Sequence, residues 1–324
     1  MLSKQHFPLV KSVVSTMFLL AYMDSCYASC GSAFCVLNTS WDIQDPVNQV
    51  GRARLDLRFE FIDQDHLRSG NSNISAAEDT GDTTEIKTIN RNFVATLDYS
   101  FTPQVGVSAS LPIVSRYHSH IADPSGAAQV ETWNFSKVSD ARITGRYQFE
   151  GTPDSVANYG LQLGVKLPTG DDHITNAEGI VAERALQPGT GSTDVIIGGY
   201  FSNRPHSAAM TWFAQGNYQR AMATRDGYRP GDQLSATGGL RYPFSESVSG
   251  LFQLNLLLKQ KDSGPNAESE LSGGKFLFAS PGLSYGVTRD TQIYGFVQLP
   301  VYRYVNGIQL SANWSAIGGV SMRF

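Results

Sequence analysis

The chain has 324 residues, 41% of them hydrophobic and 17% charged, with 31 glycines and a net charge of −4. The charged fraction lies below the ~25% of ordinary soluble domains, and no run reaches the ~18 consecutive apolar residues of a membrane-spanning helix. An acidic balance with no basic arm and no aromatic-basic module excludes nucleic acid as a partner.

Residues 1–28 read as a secretory signal. Lys4 and Lys11 give the positive region, "VVSTMFLLAYM" the short apolar core, and "CYA" (Cys26 to Ala28) a small-residue cleavage site, so the mature chain is expected to begin near Ser29. The "YAS" before Cys30 also resembles a lipoprotein box, with Tyr27 where an aliphatic residue is wanted. Residues 29–50 form a leader at the periplasmic side or a plug in the lumen, containing "CGSAFC". In an oxidising compartment Cys30 and Cys35 are disulfide candidates, with a metal or redox pair as the alternative. Trp41, Asp42 and Asp45 of this leader could meet arginines inside a barrel.

From residue 51 to 324 apolar and polar residues alternate, strand after strand. In "RARLDLRFEF", Ala53, Leu55, Leu57, Phe59 and Phe61 share one face, and Arg52, Arg54, Asp56, Arg58 and Glu60 the other. A period of two puts such sets on opposite sides of a strand. One wholly apolar face and one charged face suit lipid outside and a polar interior. Turn residues divide the region into about twelve strands: 51–66, 92–101, 104–120, 137–149, 156–169, 192–202, 207–223, 232–244, 247–261, 275–287, 291–305 and 309–324. Links after odd strands are long and polar, and links after even strands are short, which is the pattern of outer loops and periplasmic turns. The last odd-to-even link departs from it: "VNG" is a tight Asn-Gly turn.

These features predict an all-β protein, a transmembrane antiparallel up-and-down β-barrel in the bacterial outer membrane. A secreted β-sandwich would also alternate, but it has no need of the loop asymmetry. The final run, Leu310 to Phe324 by twos, is apolar on one parity, so the terminus belongs to the closing strand. Phe324 there resembles the signal that outer-membrane assembly machinery reads.

Two segments, "LQLGVKLPTGDD" followed by "LQPGTGSTDVIIGGYF", and "PGLSYGVTRDTQIYGFVQLPVYRYVNGIQL" near the end, resemble the outer-membrane transporter-like family of the meta-cleavage pathway of phenol degradation. The resemblance runs over most of the barrel. It implies twelve strands and the movement of small, often aromatic or hydrophobic compounds across the outer membrane.

Several residues carry functional expectations. Pro112, Pro168 and Pro300 each follow a leucine on an outward-running strand, and proline there marks a bend or rim, or a lateral opening for apolar solutes. Arg52, Arg54, Asp56, Arg58, Glu60, Asp98, Asp140, Arg142, Arg146, Lys166, Arg241 and Lys259 are expected to line the lumen. They form either a paired network, since unpaired buried charge is costly, or a wetted pore favouring anions. His118 and His120 share a face and could chelate a metal, with His173 the nearest further candidate. Nothing points to an enzyme: Ser119 lies on the opposite face from the two histidines, and no G-x-S-x-G elbow is present. The expected function is diffusion of a small-molecule solute, without a cofactor, through a barrel in the lipid bilayer of the outer membrane. A non-conducting structural or partner-docking barrel is the alternative.

Overall fold

The computed structural model describes residues 29–30, 53–79, 83–122, 129–149, 157–203 and 210–324. Residues 1–28, expected to be a signal segment, the leader beyond Cys30 (with Cys35, Trp41, Asp42 and Asp45) and Arg52 lie outside these residues, and of Cys30 only the backbone is described.

The strands form one sheet that closes on itself. Ala53–Gly70 (β2), Thr83–Ser100 (β4) and Val105–Ala122 (β5) pair antiparallel in sequence. Gln129–Val138 (β6) and Arg142–Gln148 (β7) both pair with β5, as one crossing interrupted at 139–141. Ala157–Lys166 (β8), Thr193–Asn203 (β9), Thr211–Ala223 (β10), Gln233–Pro243 (β11), Val248–Lys259 (β12) and Gly274–Gly286 (β13) follow, each antiparallel to the one before. Thr291–Arg323 (β14) is a 33-residue run that folds back at Asn306–Gly307. Its first half pairs with β13 and its second half with β2, so the wall is crossed twelve times. Gly307, at φ +58°, makes the turn that a side chain would strain. Two short strands stand apart: Ser72–Asn73 (β3) beside β2, and Ser29–Cys30 (β1), parallel to Gln309–Leu310.

Closure satisfies the last edge. Phe324 N donates to Ala53 O at 2.9 Å, and Ala53 N donates to Phe324 O at 3.3 Å. In hydrocarbon an open edge would leave each unpaired backbone group short by several kcal/mol, which is why only closed barrels or helices span it. Side chains follow the alternation. Arg54, Asp56 and Glu60 are at most 6% exposed, while Phe59 between them is 46% exposed. Aromatics ring the periplasmic ends of the strands: Tyr99 with Phe101, Tyr147 with Phe149 and Tyr159, Phe201 with Trp212, and Tyr242 with Phe244. Phe324 is exposed at the same end. Such a girdle marks the lipid–water boundary.

The structure corrects three sequence expectations. β4 begins at Thr83 rather than 92, and β6, on the other side of β5, at Gln129 rather than 137. Both extensions rise beyond the apolar band, where neither face need be apolar, so no alternation marks them. The terminal crossing does not keep a single parity. Register shifts between Ser311 and Ala312 and between Ala312 and Ser315 reset it. Leu310 therefore points inward, packing with Leu67, Trp133 and Leu186.

The three prolines sit where pairing fails. Pro112, without an N–H to donate, lies opposite the break between β6 and β7, and its carbonyl accepts Ser139 N at 2.9 Å. Pro168 lies two residues beyond the end of β8. Pro300 lies at the bulge between Leu277 and Phe278, where Val301 and Tyr302 are both exposed.

Candidate functional site

Inside the barrel most charges have partners. Arg54 meets Asp98 at 2.8 Å, Arg58 meets Glu60 at 2.9 Å, and Lys259 meets Asp262 at 3.1 Å. Tyr294 Oη donates to the Asp56 carboxylate at 3.0 Å. Arg146 donates to Ser100 Oγ at 2.5 Å, and Arg241 to Ser249 Oγ at 3.3 Å. Arg142 stands across the β7–β8 ladder from Lys166. Ion pairs thus line a space whose wall carries more basic than acidic side chains.

That space is a cavity of about 400 Å³. Seven basic side chains (Arg58, Arg116, Arg142, Arg146, Lys166, Arg184 and Lys259) and four acidic ones (Glu60, Asp140, Asp194 and Asp262) reach its wall. Apolar groups interleave them, among them Val94, Val114, Ile196 and Leu257. Arg54, Asp56, Asp98 and Arg241 are not part of this wall. An apolar cluster of Phe213, Leu251, Tyr294, Phe296 and Ile317 fills lumen space beside them. Phe213 lies over Gly239 so closely that a Cβ there would stand 2.4 Å from its ring.

The outer end is capped by the loop between β8 and β9. Leu186 is fully buried against Trp133, Leu67 and Leu310. Arg116 on β5 holds the loop backbone, donating to Leu186 O at 2.5 Å and Ala185 O at 3.3 Å. Trp133 Nε1 donates to Ile180 O at 3.1 Å. The neighbouring outer loops lock on: Arg184 lies 4.7 Å over the Tyr228 ring, and Tyr228 Oη donates to Asp262 at 2.9 Å. Burial, and then the Asp262 carboxylate, push the Tyr228 hydroxyl well above its usual range. In the same cap burial raises Glu183 well above an ordinary carboxyl and Glu268 to about 8.

The two motif segments of the sequence come together at the foot of this cap. Lys166 Nζ lies 3.0 Å from Asp140 and 3.2 Å from Asp194, all three side chains at most 5% exposed. The Asp140 carboxylate also receives Gly170 N at 3.1 Å, Thr190 N at 3.0 Å and Thr190 Oγ1 at 2.8 Å. Asp140 sits in the break between β6 and β7. One carboxylate thus ties the broken strand to both ends of the loop, where removing a partner from such a buried pair costs about 3–5 kcal/mol.

His118 and His120 are buried on the inner face of β5, close to Glu85, Thr88 and Glu131. His173 does not join them. It is exposed in the cap, bonded to Asp172 at 2.8 Å and near Asp226. Glu85 escaped notice because it falls in "TEIKTIN", which reads as loop. Asp194 and Thr190 were visible only as motif letters. Arg116 and Arg184 bear on a loop whose path no period encodes.

No model of a known family and no curated protein matches the sequence. Among solved structures, the COG4313 outer membrane channel from Pseudomonas putida F1 is similar with a TM-score of 0.63 at 13% identity, over 85% of this chain and 96% of that one. The Ralstonia pickettii toluene transporter TbuX gives 0.44 at 9% identity over 93% and 96%, and the KdgM porin 0.44 at 10% over 84% and 99%. At these identities the likeness is one of fold, and the last two are too distant to carry more. The chain has the fold of an outer-membrane channel barrel.

Proposed function

We propose that the chain is an outer-membrane channel through which small solutes diffuse, and that its lumen favours compact anions with an apolar body. The observation that carries this reading is the cavity: seven basic against four acidic side chains, interleaved with aliphatic ones, around about 400 Å³. That volume lies in the range that holds one small organic molecule. A cationic lining lowers the barrier for anions. The resemblance of the Lys166–Gly170 and Gly189–Asp194 segments to the phenol-degradation transporter family points to small aromatic compounds. Under this reading the backbone of β1 beside Gln309, a cavity residue, supports residues 29–50 as a lumen plug.

Reversal potentials in a salt gradient test the lining. Arg142→Gln and Arg146→Gln should each lower the anion preference, and unchanged selectivity in both variants would overturn the basic-pore reading.

A second reading is favoured by one observation. Among the described residues β6 pairs only with β5, so above the end of β8 the wall there is completed by loop residues 167–192 rather than by a strand. Its contacts there include Ala141 N to Thr169 Oγ1 at 2.8 Å and Ser139 Oγ to Pro188 O at 2.5 Å. An apolar solute could leave sideways through this seam. A Ser139→Cys/Pro188→Cys tether should then block uptake of an apolar solute while sparing ion current. Undiminished uptake in the tethered form would exclude the seam.

A further inference from the structure

Two cross-strand rows meet at the outer end of the barrel's inner face. Glu85 on β4, His120 on β5 and Glu131 on β6 stand side by side in one, and Thr88, His118 and Trp133 in the next. A bulge between Glu85 and Lys87 sets Glu85 in register with His120. One ligand atom each from Glu85, His118 and His120 lie within 4.8 Å of one another. His118 Nε2 is 3.3 Å from His120 Nδ1 and 3.4 Å from Glu85 Oε2. The Glu85 side chain is fully buried, and neither of its oxygens has a hydrogen-bond partner among the described residues.

The other nitrogen of each imidazole is held from behind. His118 Nδ1 is 2.8 Å from Thr88 Oγ1, and His120 Nε2 is 3.2 Å from Glu131 Oε2. With those outer nitrogens protonated and donating, both inner nitrogens turn lone pairs toward each other and toward a carboxylate oxygen. Three acceptors facing one point repel unless a proton or a metal ion lies between them. We propose that Glu85, His118 and His120 bind one divalent transition-metal ion of the zinc class, with water completing the shell.

The dimensions agree. Zinc takes imidazole and carboxylate at about 2.0–2.2 Å in a tetrahedron, which puts ligand atoms about 3.3–3.5 Å apart, and both edges given above have that length. The outer contacts supply what a ligating histidine needs, an acceptor that fixes its tautomer and orientation. Two imidazoles with a single carboxylate favour zinc, nickel or copper over calcium or magnesium, which prefer all-oxygen shells. Trp133 packs against both rings, at 5.7 Å and 5.0 Å, and holds the cap through Ile180. A bound ion would therefore brace the wall on which the cap rests.

The test titrates zinc chloride into the full chain, folded in detergent and freed of metal with EDTA, by calorimetry. One ion per chain is expected. His118→Asn and His120→Asn should each weaken binding at least tenfold, and Glu131→Ala, which removes only the outer partner, about 10–100-fold. His173→Asn, in the exposed Asp172–His173–Asp226 group, should change nothing. Heat-modifiable migration establishes that each variant is folded, and Glu85→Gln serves if a histidine variant is not. The absence of binding, or equal affinity in the folded His118, His120 and Glu85 variants, would overturn the proposal.

Discussion

Gly170 and Gly189 lie backbone against backbone: a Cβ on Gly189 would stand 2.5 Å from the Gly170 carbonyl oxygen. The two ends of the capping loop cross at this point, with Gly189 N donating to Asp171 O at 2.8 Å. Only residues without side chains allow that approach, which gives the glycines of the two motif segments a physical reason. Gly189→Ala should force the ends apart at a cost of about 1–3 kcal/mol, the usual penalty for overpacking. Limited proteolysis would then cut within residues 171–187 faster than in the parent protein, and equal cutting would contradict the crossing.

Asp140 fastens that crossing to the wall. Asp140→Asn leaves Lys166 with Asp194, Thr190 and Ser192 but removes one of its two ion pairs and the charge that receives Gly170 N and Thr190 N, and is expected to cost up to about 3 kcal/mol. Lys166→Met alone should be as harmful, because two carboxylates then face one another. Combining the two should cost less than their sum, a coupling that denaturant titration of the folded barrel would measure.

Leu186 anchors the tip of the loop. Leu186→Ala removes a fully buried side chain and should cost about 2–5 kcal/mol. The loss falls on the cap rather than the barrel, so the heat-modified band shift should persist while single-channel current becomes noisier and larger. A barrel that no longer folds in this variant would contradict the separation of cap from wall.

Much of the wall was legible in the sequence, because lipid on one side and a polar lumen on the other impose a period of two on most of the crossings between Ala53 and Phe324. What it hid lies where that pressure lifts. The polar start of β4, with Glu85 and Thr88, rises above the apolar band and carries no alternation. Leu310 changed faces through a bulge that no single residue announces. The inward charges Lys166 and Lys259 could be placed by parity, but their partners could not. Asp194 and Asp262 reach Lys166 and Lys259 through strand register and loop path, both settled by long-range packing.

The most direct test is a planar-bilayer recording of the full chain in a salt gradient, beside a form lacking residues 29–50. The account predicts discrete current steps with a reversal potential favouring anions, larger when the leader is removed. Silence in both forms, or a cation preference in either, would contradict it.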